Sequence, residues 1–267
     1  MIISDFHTHT DFSSDSLQNP EELILHASKI GLKYLAITDH FDNGSAYVPK
    51  DKQLDLKKYY QTISSYVEFA KQNNVELAVG IEMGYVPDKN QQNTDIINTY
   101  PFDYVINSVH EVNGVDCYFE EYYQGKERFE SYIKYFQAVL SSLDAPYYYS
   151  SIGHIGYVIR KAPYKQVQYQ YSEFGNILDK ILIKIIKQDI ILEVNSSING
   201  LDDKVIPSLE VIKRYYELGG RLVTFGSDAH SILRLGEKKE HVCKLLKDIG
   251  FKSLALVKSR KLFEIEL

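Results

Sequence analysis

The stretch Asp5-Phe6-His7-Thr8-His9-Thr10-Asp11-Phe12-Ser13-Ser14-Asp15 follows directly on a short apolar run that is typical of a β-strand. Side chains two positions apart project from the same face of a strand, so His7 and His9 would point the same way. Neutral imidazoles bind Zn, Fe and similar metals, and Asp15 adds a carboxylate six residues beyond His9. The stretch predicts the beginning of a metal site, although a chance histidine pair at a strand end would look the same.

The composition is that of an ordinary globular chain. Its 267 residues are 44% hydrophobic and 25% charged, which allows a large core, and no compositional shift marks a linker. We therefore expect one domain over residues 1–267. The net charge of −6 offers no basic surface for nucleic acid or an anionic membrane. Two cysteines without a CxxC motif argue against disulfides and thiolate zinc sites, and the lack of a leader or long apolar run favours a cytoplasmic protein.

Short apolar runs alternate with longer amphipathic stretches. The predicted strands cover residues 2–6, 34–38, 76–81, 104–109, 148–152, 190–194 and 222–225. The predicted helices cover 20–30, 56–72, 126–143, 173–187, 207–218 and 236–249, with Pro20 and Pro207 at first helical positions and Gly31 and Gly219 at helix ends. The predicted loops are 42–54, 86–99 and the solvated segment with Asp202 and Asp203. A last apolar run, 254–257, would close the sheet or pack outside it.

This alternation predicts an α/β fold with parallel strands joined by right-handed crossovers. The strands are apolar on both faces, as expected when both faces are covered. An open doubly wound sheet would be expected to carry a glycine-rich phosphate loop after its first strand, and this chain has none. A closed or distorted β/α barrel is therefore the preferred prediction.

Six of the eight histidines lie at the carboxyl end of a predicted strand, and in a parallel barrel these ends meet at the rim where active sites are built. The six are His7, His9, His40, His110, His154 and His230, whereas His26 and His241 fall inside helical stretches as packing or surface residues. The carboxylates Asp15, Glu82 and Asp228 belong to the same rim. Nine ligands with one bridging carboxylate suit three metal ions. The alternative is a site for one or two metal ions, in which the remaining side chains form hydrogen bonds with the ligands and do not bind metal.

Six motifs occur in a recognisable order. They are His7-Thr8-His9, Thr38-Asp39-His40, Gly80-Ile81-Glu82, Ser108-Val109-His110, Gly153-His154 and Ser227-Asp228-Ala229-His230. Together they resemble the PHP family, the polymerase and histidinol phosphatase superfamily of metal-dependent phosphoesterases. The resemblance implies a distorted, TIM-like (β/α)7 barrel and three divalent ions, Zn, Fe or Mn. It assigns His7, His9, Glu82 and Asp228 to one ion, Glu82, His110 and His154 to a second, and Asp15, His40 and His230 to a third.

Within the family, the segments Gly80-Ile81-Glu82-Met83-Gly84-Tyr85 and Ser108-Val109-His110 look most like those of histidinol-phosphate phosphatase. This resemblance implies hydrolysis of the small monoester L-histidinol phosphate in histidine biosynthesis, by attack of a hydroxide held between two metals. One departure is that an acidic residue is expected shortly after His154, and Gly153-His154-Ile155-Gly156-Tyr157 offers none.

Two arginines near the rim are candidates for binding the substrate phosphate. Arg160 lies six residues past His154, and its guanidinium suits bidentate phosphate recognition, although a surface arginine would give the same pattern. Arg234 is the weaker candidate. Ser13 and Ser14 are predicted to be loop residues.

Four acidic or basic residues are candidates for supporting roles. Glu193 would orient a ligand imidazole or bind a substrate amine, and Asp39 would accept a hydrogen bond from an imidazole. Asp15 or His230 would give a proton to the leaving alkoxide.

Three alternatives remain. Another PHP phosphoesterase would act on nucleotides or short oligonucleotides, although the acidic balance disfavours an extended nucleic-acid track. A non-catalytic PHP module for binding or assembly would be expected to have lost ligands, and all nine are present. An amidohydrolase-like barrel would be expected to carry a lysine at a strand end, which we do not find.

Overall fold

A sheet of parallel strands flanked by helices dominates the computed structural model, which describes residues 1–198 and 204–267. The strands are β1 (Ser4–Asp5), β2 (Tyr34–Ile37), β3 (His40–Phe41), β4 (Glu76–Gly84), β5 (Tyr104–Ser108), β6 (Glu111–Val112), β7 (Val115–Asp116), β8 (Ser151–Ile152), β9 (Ile191–Asn195), β10 (Val223–Gly226), β11 (Ser253–Lys258) and β12 (Lys261–Glu266). The helices are α1 (Pro20–Lys29), α2 (Leu56–Ser65), α3 (Val67–Gln72), α4 (Asn90–Thr99), α5 (Arg128–Ser142), α6 (Tyr171–Lys187), α7 (Leu209–Glu217) and α8 (Lys239–Ile249). Asp202 and Asp203, which we predicted to lie in a solvated loop, fall outside the described residues.

The sheet closes on itself between its first and last strands. Its order is β1-β2-β4-β5-β8-β9-β10, all pairs are parallel, and β3 adds to β4. The backbone N–H of Phe6 donates to the carbonyl of Phe225 at 3.0 Å, and Thr8 forms a parallel bridge with Ala229. These irregular closing contacts confirm the predicted distorted barrel, in which the carboxyl ends of all seven strands share one rim.

Strand β4 extends three residues beyond its predicted end, to Gly84. Both neighbours pair with this carboxyl half, because Glu82 lies beside His40 of β3 and beside Ile106 of β5. Glu82 therefore lies inside the sheet, and its side chain has no solvent exposure.

The helices follow the predicted pattern with two exceptions. The stretch predicted as one helix over 56–72 is divided at Tyr66 into α2 and α3. Residues 86–99, predicted to be a loop, contain α4, which buries only Asn93 and Ile97 and so lacks the apolar stripe that predicts a helix. In the described part of the chain, no helix combines the length and apolarity needed to cross a bilayer.

The predicted helix ends are largely observed. Pro20 opens α1, where Asn19 caps the backbone N–H groups of the first turn, and Gly31 and Gly219 follow α1 and α7 with φ of 79° and 97°. The prediction for Pro207 is wrong by two residues, because α7 begins at Leu209.

The apolar run at 254–257 packs outside the barrel as part of β11, which pairs antiparallel with β12. The turn between these two strands contacts the amino ends of the barrel strands: Ser259 N–H donates to Asp103 just before β5 at 2.9 Å, and Lys258 pairs with Glu76 at the start of β4. The hairpin therefore covers the barrel end opposite the histidines.

A buried carboxylate, Asp5, ties the barrel closure to the segment before α8. One oxygen accepts a hydrogen bond from Ser227 N–H and the other from Gly236 N–H, both at 2.9 Å. Burial raises the pKa of Asp5 to about 6, against the opposing effect of these hydrogen bonds.

We expect Asp5→Ala to lower the free energy of unfolding by about 2–6 kcal/mol, because two buried N–H donors lose their acceptor. Urea denaturation measures this change. Asp51→Ala, at an exposed site, is the control and should stay within about 0.5 kcal/mol of the parent protein. Equal stabilities of the two variants would contradict the role given to Asp5.

Candidate metal centre

All nine predicted ligands come together at the carboxyl-end rim of the barrel. His7 and His9 follow β1, Asp15 precedes α1, His40 opens β3, Glu82 lies in β4, His110 follows β5, His154 follows β8, and Asp228 and His230 follow β10. His26 and His241 lie in α1 and α8, away from this cluster. The cluster is built from strands that are separated in sequence but adjacent in the sheet.

The first ligand group lies at the barrel closure. His7 Nε2 is 3.2 Å from Glu82 Oε2, and His9 Nε2 is 3.1 Å from Asp228 Oδ1. The crossed distances, His7 to Asp228 and His9 to Glu82, are 3.7 and 3.6 Å. All four side chains are buried, so their nitrogen and oxygen atoms surround one common point away from solvent.

The second group uses the other oxygen of Glu82. Oε1 lies 2.9 Å from His154 Nε2 and 3.3 Å from His110 Nε2, and Ser108 Oγ donates a hydrogen bond to it at 2.7 Å. Glu82 therefore presents one oxygen to each of two imidazole groups, which is the arrangement of a bridging carboxylate.

The third group is more open. His230 Nε2 lies 3.2 Å from Asp15 Oδ2 and 3.3 Å from His40 Nε2, and His40 Nε2 is 3.8 Å from the same Asp15 oxygen. The Asp15 side chain is 56% exposed, compared with 0% for Glu82, so this group faces the solvent-accessible side of the centre.

Four of the six imidazoles are held through Nδ1. The partners are Glu193 Oε1 for His7 at 2.5 Å, Ser13 Oγ for His9 at 3.2 Å, Asp42 Oδ1 for His110 at 2.8 Å and the carbonyl of Asp228 for His230 at 3.0 Å. Each of these oxygens can accept the Nδ1 proton, which leaves Nε2 free to bind a cation and fixes the orientation of the ring.

Several nitrogen and oxygen atoms of the cluster lack partners that a cation would supply. His110 Nε2 faces His154 Nε2, and His40 Nε2 faces His230 Nε2, both at 3.3 Å. Within the described residues, the buried His7 Nε2 lies 3.2 Å from Glu82 Oε2 without forming a hydrogen bond, and that oxygen also lies 2.7 Å from His40 Nδ1. Unpaired buried polar atoms are costly, so these residues fit divalent ions with mixed nitrogen and oxygen ligands.

The electrostatics favour ligand-competent protonation states at some of these groups only, because the neighbouring carboxylates raise the pKa of His40, to about 9, and of His110 despite burial. Burial and the neighbouring imidazoles lower the pKa of His9, and burial lowers that of His154, so both rings stay neutral. Burial would raise the pKa of Glu82, but the surrounding imidazoles outweigh it and hold the pKa well below its usual range. For His7, burial is outweighed by the carboxylates, chiefly Glu193, and the pKa is raised; a bound cation would displace this proton.

Sequence reasoning missed Asp42, which we placed in a loop. Its carboxylate accepts from His110 Nδ1, and a Cβ at position 84 would lie 2.0 Å from Asp42 Oδ1, so Gly84 makes room for this contact. The signal was present in the sequence, because Asp42 follows His40 at the two-residue spacing that also joins His7 to His9.

Ser13 is more than the loop residue we predicted. Its hydroxyl donates to Asp39 Oδ1 at 2.6 Å and accepts from His9 Nδ1. Asp39 itself contacts no imidazole by a hydrogen bond, contrary to our prediction; it accepts instead from Ser13 and from the backbone and hydroxyl of Thr10. Asp39 therefore reaches His9 only through Ser13.

Glu193 is buried behind the ligands. Oε1 accepts from His7 Nδ1, and Oε2 accepts from the backbone N–H of His154 at 2.5 Å. Both oxygens are engaged, which favours the predicted orienting role over contact with a substrate amine.

A cavity of about 460 Å³ opens above the third group, and both candidate arginines line it. Arg160 Nη2 lies 2.5 Å from Asp228 Oδ2 and 3.2 Å from Asn195 Oδ1, and its guanidinium stacks on Tyr157 with 5.2 Å to the ring centre. Arg234 is held by Glu237 at 2.8 Å. A larger cavity, about 680 Å³, lies between α7 and α8, and no candidate ligand is among its described lining residues.

A family model described as the PHP domain matches residues 5–197. The chain is 32% identical over 251 residues to a probable histidinol-phosphatase of Clostridium acetobutylicum, covering 94% of this chain and 95% of that protein. It is 30% identical over 263 residues to the histidinol-phosphatase of Lactococcus lactis subsp. lactis, covering 97% and 95% of the two chains.

Solved structures agree with these relatives. The histidinol phosphate phosphatase of Lactococcus lactis subsp. lactis, crystallised with Zn, L-histidinol and phosphate, superposes with a TM-score of 0.84 at 30% identity, over 97% of this chain and 98% of that one. A putative histidinol phosphatase of Listeria monocytogenes shares the fold, with a TM-score of 0.75 at 22% identity over 89% of this chain and 98% of that one.

We expect Glu82→Gln to lose the ions of two ligand groups at once, because an amide presents one neutral oxygen where the carboxylate presents two charged ones. Metal analysis of the purified variant by plasma mass spectrometry measures this loss. Glu76→Gln, an exposed change in the same strand, is the matched control and should keep the parent metal content. Full metal retention by Glu82→Gln would refute the bridging role.

Proposed function

Because the chain belongs to the PHP domain family, we propose that it is a histidinol-phosphatase, which hydrolyses L-histidinol phosphate to L-histidinol and phosphate in histidine biosynthesis. The main support for the proposal is the position of the Glu82 carboxylate, whose two oxygens face two separate imidazole groups. These groups lie beside a cavity that Arg160 lines. Metal centres of this kind suit a phosphate monoester, whose hydrolysis needs a strong nucleophile and neutralised phosphoryl charge.

We further propose that the centre holds three divalent ions, Zn, Fe or Mn. His7, His9, Glu82 and Asp228 would hold the first, Glu82, His110 and His154 the second, and Asp15, His40 and His230 the third. Several overlapping groups of nitrogen and oxygen atoms at the rim, two of which include Glu82, and the contacts of Asp15 with His40 and His230 support this number. Bound ions would supply Lewis acidity toward the phosphoryl oxygens and make water a better nucleophile near neutral pH.

Arg160 binds the phosphate in this proposal. Its guanidinium reaches the centre through Asp228, lines the cavity and keeps Nε without a hydrogen bond within the described residues. A guanidinium in this position can offer two parallel N–H groups to phosphate oxygens. Arg234, which is engaged with Glu237, lies farther along the same wall and would assist.

The leaving alkoxide needs a proton, for which His230 and Asp15 were the candidates. Burial would raise the pKa of Asp15, but its hydrogen bond with His230 and the neighbouring imidazoles hold the pKa below its usual range. Asp15 is therefore ionised and suits a ligand role. His230 has Nε2 in the third ligand group and Nδ1 on the carbonyl of Asp228, so it also suits a ligand role, and we assign the proton to water at the centre instead.

The cavity also bears on the substrate class. A pocket of about 460 Å³ encloses a small monoester, whereas a nucleic-acid strand needs an extended basic track. We propose a small-molecule substrate, no nucleic-acid or membrane partner, and a cytoplasmic location.

Phosphate release from L-histidinol phosphate, compared with nucleotides and sugar phosphates in the presence of Zn, Mn or Fe, tests the proposal. We expect L-histidinol phosphate to give the highest kcat/KM, and removal of the metal by a chelator to abolish turnover until metal is restored. A metal-free sample with full activity, or a clear preference for nucleotides, would overturn it.

We expect Arg160→Ala to raise KM for the substrate and the inhibition constant of inorganic phosphate by about 10- to 100-fold, the range of one charge-assisted hydrogen bond pair. Because Arg160 also contacts Asp228, metal content is measured in parallel and should be retained. Arg221→Ala, at an exposed position, is the control. Unchanged kinetics for Arg160→Ala would remove Arg160 from the site.

A further inference from the structure

A β-hairpin with a two-residue turn follows directly after the ligand His110. Strands β6 and β7 pair with Glu111 opposite Asp116, and the turn is Asn113-Gly114, with φ of 55° and 75°. Positive φ at both turn residues is the geometry that tight hairpins require, and Asn-Gly provides it readily. The hairpin carries Asp116 into the wall of the cavity above the metal centre.

The pairing of Glu111 with Asp116 is unfavourable by itself. Like charges directly opposite each other in an antiparallel pair destabilise it. In the described chain, no Lys or Arg nitrogen lies within 4.0 Å of either carboxylate, and the buried Glu111 Oε1 has no hydrogen-bond partner. The nearby Asp42 adds a third negative charge, although it is paired with His110. Neither carboxylate therefore has a direct cationic partner among the described residues, although Lys161 lies over the Tyr118 ring in the same wall, 4.9 Å from the ring centre.

Asp116 has one oxygen available. Oδ1 accepts from Tyr118 N–H at 2.7 Å and from the Tyr157 hydroxyl at 3.3 Å, whereas Oδ2 accepts no hydrogen bond from the residues whose positions are described. The two protein contacts orient the carboxylate and leave Oδ2 as an acceptor for a ligand.

Tyr157 contacts both Asp116 and the ligands of the metal centre. Its ring lies 5.0 Å from the ring of His110 and 5.2 Å from that of His154, while its hydroxyl points to Asp116. The Tyr157 side chain therefore extends from the ligand imidazoles to the Asp116 carboxylate. Tyr118 stacks with Tyr157 at 6.5 Å, so the space between the two ends has an aromatic wall.

We infer that Asp116 is a specificity-determining residue that binds a protonated nitrogen at the organic end of the substrate while the phosphate lies at the metal centre. The inference rests on the proposed function and adds to it the residue that selects cationic monoesters over neutral ones. Either the ammonium group or an imidazole N–H of L-histidinol phosphate has the required chemistry, since both donate to a carboxylate.

The test compares three substrates with Asp116→Asn. We expect kcat/KM for L-histidinol phosphate to fall by about 10- to 100-fold, and that for the uncharged-tail substrate p-nitrophenyl phosphate to stay within about twofold. O-phosphoethanolamine carries an ammonium group but no ring: a parallel loss assigns the contact to the ammonium, and a loss limited to L-histidinol phosphate assigns it to the imidazole. Equal effects on cationic and neutral substrates would overturn the inference.

Two further measurements separate this inference from the proposed function. Calorimetric binding of L-histidinol with phosphate present needs no turnover, and Asp116→Asn should weaken it; unchanged affinity would overturn the role of Asp116 whatever the enzyme hydrolyses. The melting temperature of Asp116→Asn should be unchanged or higher, because the repulsion from Glu111 is removed while Oδ1 keeps its contacts. Glu120→Gln, an exposed carboxylate outside the cavity lining, is the matched control and should change neither substrate preference nor binding.

Discussion

A carboxylate without solvent exposure is the constraint on which the rest of the rim depends. Glu82 lies within 4.0 Å of imidazole nitrogens from five histidines, and none of these partners is adjacent to it in sequence. An isolated buried charge costs several kcal/mol, so this position is stable only when the surrounding strands bring their side chains to it. Every strand that supplies a ligand must therefore pair with its neighbours in one register, because a shift of one residue would turn the ligand to the opposite face of the sheet.

The sequence predicts that the strand-end histidines converge, because this convergence follows from the topology of the barrel. Parallel strands joined by helices place every carboxyl end at one rim, so histidines at strand ends such as His40 and His110 had to meet once the barrel was inferred. The grouping of the ligands required the family resemblance in addition, because spacing alone does not say which strand ends are neighbours across the barrel.

The residues that sequence reasoning missed act through contacts between loops. Asp42 and Ser13 each hold the far nitrogen of a ligand imidazole, and neither is marked by hydrophobic periodicity, which reports burial against the core and not contacts at a rim. The same limitation explains α4, a polar helix with little buried surface, whose structure is determined by tertiary contacts and not by local preference.

The barrel closure between β1 and β10 has a consequence for how the protein matures. His9 and Asp228 are 3.1 Å apart in space and 219 positions apart along the chain, and the strand that completes the ring is made late in translation. A nascent polypeptide on the ribosome exposes its first histidines long before their carboxylate partner exists, and contacts of such long range form slowly. The first ligand group can therefore be complete only after β10 has been synthesised and has paired, because Asp228 follows that strand.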